Sequence, residues 1–160
     1  MIQGTGDDRQ RDDSLRADFE AFFRASSVAL VAQAYALTGN IDAAKDLTQE
    51  ALTRAWERWA VVSTYESPEA WTRRVVHNLA VSRWRRLQLR RRHEHAMVAV
   101  PASGPDAERV DLVRALQHLP IGQRRAVVLH DLAGLTSREV GAELGIEPGT
   151  VRVWLHRARR

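Results

Sequence analysis

Gly149, Arg152, Val153, His156, Arg157 and Arg160 fall on one side of a helical wheel begun at Pro148, and no acidic residue interrupts them. Guanidinium groups spaced this way can form paired hydrogen bonds to guanine edges in the major groove of duplex DNA. A second set is denser. Between Trp71 and His93 there is no acid, yet the stretch carries Arg73, Arg74, Arg83, Arg85, Arg86, Arg90, Arg91 and Arg92, together with His77, Asn78 and Trp84. Arginines interleaved with an aromatic suit a single-stranded partner, the cations following phosphate and the indole stacking on a base. A third set is acidic: Asp42, Asp46, Gln49 and Glu50 share the outward side of a helix, either as a solvated face whose early acids suit the positive dipole end or as a docking surface for a basic partner.

Other chemistries find little support. Cysteine is absent, which removes disulfides, thiolate metal sites and thiol redox sensing. His93 and His95 lie beside an arginine run with no further ligand placed near them, so no metal site and no cofactor is expected. His77, His93 and His118 come without a glycine-rich phosphate loop or a nucleophile elbow, and no enzyme is expected. Neither a signal peptide nor a membrane span is visible. The formal charge of +4 is carried almost wholly by arginine, Lys45 being the one lysine, a bias equally compatible with nucleic-acid binding and with a GC-rich genome.

The elements that must position these residues are helical throughout. The most strongly signalled is a helix-turn-helix at Thr136–Arg160. Thr136 and Glu139 can form a capping box, Leu135 can staple onto Val140, Gly141 permits close approach of a second helix, and Gly145 ends the first helix. Pro148 opens the second, whose apolar stripe is Val151, Leu155 and Ala158; Ile146 fills the turn and Trp154 packs on the flank. Upstream, Met1 to Ser14 reads as a frayed polar tail. Leu15 to Leu37 has helical spacing, and a second helix from Asp42 to about Trp59 buries Ala44, Leu47, Ala51, Leu52 and Ala55 or Trp56. Ser67, Pro68 and Glu69 start a third helix, running to about Arg86 or further. Its expected inward face is Trp71, Val75, Leu79 and Ser82, with Arg73, Arg74, His77, Ala80, Trp84 and Arg85 outward. The loop from Ser63 to Ser67 can wall a pocket for a flipped base. Asp106–Leu119 and a helix containing Ala126, Val127, Leu129 and Leu132 complete the pattern before Gly134.

The expected fold is therefore all-α: two small helical domains, 15–90 and 106–160, joined by a flexible linker at 91–105 that contains Pro101, Gly104 and Pro105.

Four segments in this order resemble the bacterial RNA polymerase sigma factors of the extracytoplasmic-function group. Asp42-Ala43-Ala44-Lys45-Asp46-Leu47-Thr48-Gln49-Glu50-Ala51 is similar to the segment that binds core polymerase. Trp71-Thr72-Arg73-Arg74-Val75-Val76-His77-Asn78 with Arg85-Arg86 is similar to the helix that melts and holds the minus-10 element. Leu119-Pro120 and Gln123-Arg124 precede Gly149-Thr150-Val151-Arg152 and Leu155-His156-Arg157-Ala158-Arg159, which resemble the minus-35 reading helix. The resemblance covers about residues 15 to 160. It implies a dissociable, non-catalytic initiation subunit that works in the cytoplasm. Asp42, Asp46, Gln49 and Glu50 would meet core RNA polymerase. Arg73, Arg74, His77, Asn78, Trp84 and Arg85 would hold single-stranded minus-10 DNA, while Gly149, Thr150, Arg152, Val153, His156, Arg157 and Arg160 would read minus-35 duplex promoter DNA. An anti-sigma protein is a further implied partner, and the linker would thread the polymerase interior. Two departures stand out: family members commonly continue the last helix beyond the point where Arg160 ends this chain, and Val153-Trp154 stands where many relatives carry serine and arginine, so an apolar contact, for instance to a thymine methyl, is expected at Val153. The competing reading is a stand-alone helix-turn-helix regulator that binds duplex DNA as a symmetric dimer without core polymerase; the basic, aromatic third helix and acidic second helix weigh against it.

Overall fold

The computed structural model describes residues 4–91 and 107–160, and every regular element among them is a helix. Most of the expected linker, with Arg92, His93 and His95, lies outside the described residues. α1 (Gly4–Thr38) is the longest element. The polar start expected to fray is part of this helix from Gly4 on. Polarity alone does not stop a helix once a buried segment further along has met the nucleation cost. Gly39, at φ 69°, turns the chain. Asn40 then caps α2 (Ile41–Glu57), its side chain accepting a hydrogen bond from the Ala43 amide at 2.8 Å.

α1 and α2 pack as a helical hairpin. Small residues recur along the contact face of α2, where Ala43, Ala44, Ala51 and Ala55 are buried beside Leu47, Thr48 and Leu52. α2 stops at Glu57, short of the expected Trp59, and Trp59–Val62 forms a separate turn, α3. That break aims the Trp59 indole at Phe19 and Phe22, with ring centroids 5.1 and 4.8 Å away, and its Nε1 donates to Asp18 at 3.0 Å. Trp56 stays half-exposed.

α4 (Pro68–Arg91) begins as its sequence dictates, the Ser67 hydroxyl accepting from the Ala70 amide at 3.0 Å and proline occupying the first helical position. It continues through residues 87–91, beyond the expected break in pattern. Val76 joins Leu30, Ala34, Ala44, Ala51 and Leu52 in the buried core of the first half.

The second half holds α5 (Ala107–Gln117), α6 (Ile121–Val127) with a π-helical turn at Val128–Leu132, α7 (Ser137–Leu144) and α8 (Pro148–Ala158). The π-turn sends adjacent side chains to different cores. Val128 packs with Leu116, Ala36, Leu37, Leu47 and Ala80, a cluster drawn from both halves of the chain. Leu129 packs with Ala126, Val140, Val151 and Leu155 under the helix-turn-helix. The halves are thus closed on one another. Polar contacts reinforce the closure: Gln117 Nε2 donates to the Ala36 carbonyl at 3.0 Å, and the buried Arg124 guanidinium donates to the Leu37 carbonyl at 2.7 Å and to Gln117 Oε1 at 2.6 Å. These bonds satisfy carbonyls at the end of α1 that have no intrahelical partner.

Candidate nucleic-acid interface

The helix-turn-helix forms with the local chemistry its sequence signals. Thr136 Oγ1 accepts from the Glu139 amide at 3.3 Å while Glu139 Oε2 accepts from the Thr136 amide at 2.7 Å, a reciprocal capping box. The Thr136 hydroxyl also donates to Glu139 Oε2 at 2.6 Å, and this bond, then the one from the Thr136 amide, holds the Glu139 carboxyl below the usual carboxylate range. Gly145, at φ 70°, ends α7 in the left-handed conformation. Gly141 is where the turn closes: a Cβ there would sit 2.7 Å from the Ile146 carbonyl oxygen. Val151 and Leu155 are buried, Ala158 is half-buried, and the Trp154 ring packs on Gly122 of α6.

This leaves one face of α8 free. Thr150, Arg152, Val153, His156, Arg157 and Arg160 are exposed and Gly149 is half-exposed, so the whole set expected to face duplex DNA is on one accessible side. Val153 is 47% exposed, an apolar spot among cations. The α8 helix has Arg152 and Arg157 on its open side and no acid among residues 148–158, the charge pattern that phosphate attracts.

On α2, Asp42, Asp46, Gln49 and Glu50 are all exposed, Glu50 in an ion pair with Arg54 one turn on. Pairs so exposed contribute little to stability.

α4 departs from the expected division into inward and outward faces. Arg74, Asn78 and Arg85 are exposed and Trp84 is half-buried. Arg73, His77 and Ala80, expected outward, are instead buried, at 8%, 1% and 3% exposure, and Ser82, expected inward, is exposed. The reason is a second packing partner. The C-terminal half covers this side of α4, and Arg73 donates through Nε and Nη2 to both carboxylate oxygens of Glu143 on α7, each at 3.1 Å. His77 has neither ring nitrogen hydrogen-bonded. Burial first, then the nearby Arg125 and Arg73 charges, pull its pKa down to about 3, so the ring is neutral. Glu143, Arg125, Gln117 and Arg124 were not singled out as functional from sequence. One signal was present: beyond Glu69 in its first turn α4 carries many arginines and no acid, so a carboxylate for a buried one has to come from elsewhere in the chain.

Beside the start of α4, Tyr65, Glu66, Ser67, Ala70, Trp71 and Arg74 line a pocket of about 650 Å³, at the loop expected to wall one. Among the described residues no group of three or more histidine, cysteine or acidic side chains is placed to hold a metal ion, and no helix is long and apolar enough to cross a membrane.

Comparison with known proteins places both halves. Residues 22–90 match the family model described as sigma-70 region 2, and residues 109–160 match sigma-70 region 4. The chain is 38% identical over 144 residues to the ECF RNA polymerase sigma factor SigE of Mycolicibacterium smegmatis, covering 79% of this chain and about half (53%) of that protein's length. It is 33% identical over 144 residues to the RNA polymerase sigma-E factor of Streptomyces coelicolor, covering 88% of this chain and 81% of the relative. Among solved structures, the sigma factor RpoE of Bartonella quintana, determined in complex with the anti-sigma factor NepR, superposes with a TM-score of 0.73 at 26% identity, covering 89% of this chain and 92% of that one.

Proposed function

Because the chain belongs to the extracytoplasmic-function group of RNA polymerase sigma factors, and so directs transcription initiation, we propose how that work divides among its surfaces. The exposed acidic side of α2, with Asp42, Asp46, Gln49 and Glu50, docks on a basic surface of core polymerase. The open face of α8 reads minus-35 duplex through Arg152, Arg157, His156 and Val153, with Gly149, Thr150 and Arg160 close to the backbone. Arg74, Asn78, Trp84 and Arg85 on α4 hold the unpaired minus-10 strand, and the pocket between Tyr65, Trp71 and Arg74 receives a flipped base. Arg73 and His77 belong to the same strand-binding side and can join it only when the C-terminal half has moved away. The chain performs no catalysis, acts in the cytoplasm, and divides into a domain at 15–90, a linker at 91–105 and a domain at 106–160. An anti-sigma protein, such as the one bound to the Bartonella quintana relative, is a partner of the same class.

The observation that carries this reading is the joint presence of a free basic face on α8 and a basic, aromatic α4 on one chain. A duplex-binding repressor needs only the first. Stacking is worth about 1–3 kcal/mol per base, and flipping costs a few, so strand capture requires several such contacts acting together with polymerase. Mixing the protein with core polymerase and a promoter library should produce start sites absent with core alone. A stand-alone regulator would produce none, and that result would overturn the assignment. On templates with a pre-melted minus-10 bubble, Asn78→Ala and Trp84→Ala should still weaken retention; equal effects on duplex and bubble, with opening unchanged at saturation, would remove the strand-capture role.

A further inference from the structure

We propose that Val153 senses the 5-methyl group of one pyrimidine in the minus-35 duplex and is indifferent to the group at C4, so that a 5-methylcytosine at that position is accepted as a thymine is. Cytosine methylation of the promoter then becomes an input to this chain. The proposal rests on α8 being the duplex-reading helix.

Val153 holds the middle of the open face. At about 100° per residue it lies on the side of α8 opposite Val151, Leu155 and Ala158, the stripe that seats the helix. It is 47% exposed, with Arg152, His156 and Arg157 around it and no acid among residues 148–158. Phosphates draw in cations so placed, which carries the residue between them toward the base edges. One turn before Val153 stands Gly149, where a Cβ would meet nothing closer than Arg152 Nη2 at 3.8 Å. The first turn of the face is therefore bare, and no side chain there holds α8 off the floor of the groove.

The isopropyl group is also held still. A valine in a helix keeps largely to one χ1 rotamer. The helix beneath it is seated by the buried Val151 and Leu155 and by the Trp154 ring, which packs on Gly122 of α6. Contact at Val153 thus orders little that is not already ordered.

What such a group can read follows from its chemistry. In the major groove thymine and cytosine differ at C4, an acceptor oxygen against a donor amino group, and at C5, a methyl against a hydrogen. Valine has neither donor nor acceptor and is blind to the first difference. No carboxylate among residues 148–158 accepts from the cytosine amino group. The C5 substituent remains, and a methyl there takes the valine surface out of water. Thymine and 5-methylcytosine carry that methyl in the same place.

The test uses holoenzyme, the full chain with core polymerase, and a promoter duplex that it selects from a random library; should core confer no selection, the chain alone selects the duplex. At each minus-35 position on either strand, thymine is compared with uracil opposite adenine, and 5-methylcytosine with cytosine opposite guanine, by competition binding. At one position each methylated base should bind about fourfold tighter than its unmethylated counterpart, the worth of one buried methyl. Both ratios should fall to about one in Val153→Ser and persist in Val153→Ile. Each ratio is internal to one protein, so a partly misfolded variant does not distort it. Ratios near one at every position would overturn methyl sensing, as would ratios that survive Val153→Ser. A thymine effect without a 5-methylcytosine effect would overturn the indifference at C4. Footprints unchanged in Arg152→Ala and Arg157→Ala would remove α8 as the reader and this proposal with it, whereas weakened footprints with a flat base series would remove this proposal alone.

Discussion

Gly141→Ala separates local helix propensity from tertiary packing because the two predict opposite signs. Gly141 lies inside α7, where alanine should stabilise an otherwise unconstrained helix by about 1 kcal/mol. Its new Cβ, however, would sit 2.7 Å from the Ile146 carbonyl oxygen and 3.4 Å from the Pro148 nitrogen. Both are backbone atoms at the turn into α8. A side chain can rotate away from such a contact; a carbonyl between two helices moves only if the turn moves. Overpacking of this kind costs about 1–3 kcal/mol, and a rigid obstacle puts the cost toward the upper end. The net expectation is a loss of about 1–2 kcal/mol, read as a fall in Tm of about 2–4 °C per kcal/mol for a chain this size. Gly149→Ala is the control. Its nearest neighbour is Arg152 Nη2 at 3.8 Å, an ordinary contact, so propensity should win and stability should rise by about 0.5 kcal/mol. Thermal unfolding by circular dichroism, with a minus-35 duplex footprint beside it, reads both. A Gly141→Ala protein that melts higher than the parent and footprints normally would refute the close-packing account of the turn.

Arg152→Ala and Arg157→Ala should each weaken minus-35 binding by about 1–3 kcal/mol if the contact is to a base, with little change in Tm since both are exposed; footprints unchanged in both variants would remove α8 as the reader. Asp46→Arg should weaken assembly with core polymerase while moving stability by only about 0.5 kcal/mol, and normal assembly measured by co-elution would refute the docking assignment. His77 gives a pH signature. Its folded pKa of about 3 lies below the ordinary value of 6.5, so the unfolded chain takes up a proton first as pH falls. Stability should be full above pH 6.5 and decline below it by about 1.4 kcal/mol per pH unit toward pH 3, and in His77→Leu that His-dependent part of the slope should vanish in urea titrations.

The helix-turn-helix was legible because its signals are local. A capping box spans four residues, a proline start and a left-handed glycine need no distant partner, and all three appear in the structure where the sequence put them. The third helix was legible in extent and cap but not in facing. A wheel sorts residues by polarity, and polarity places Arg73 and His77 in solvent. Their burial depends on Glu143, seventy residues further along the chain, and on Arg125. Helix α4 has a second partner on the side a wheel leaves for water, and such an arrangement leaves no clean stripe to read. The opening segment failed for the converse reason: its polar residues correctly indicate exposure, and Asp8 to Ser14 are exposed, but exposure does not exclude a helix continued from Phe19 and Leu30.

Closure of the two halves sets apolar attraction against a concentration of positive charge, and magnitudes decide which element controls it. Full burial of an aliphatic side chain contributes roughly 1.5–3 kcal/mol. Leu37, Leu47, Leu116 and Val128 lie in the shared cluster, and even with part of that burial retained on separation the contact favours closure by several kcal/mol. Removing one member of a buried ion pair costs about 3–5 kcal/mol, because the surviving charge is left unanswered. The two quantities are of one size. Loss of Glu143 would take from Arg73 its two-pronged partner next to a histidine already forced neutral, leaving only the longer-range charge of the exposed Glu139, so a single side chain on α7 can offset much of what the apolar cluster contributes.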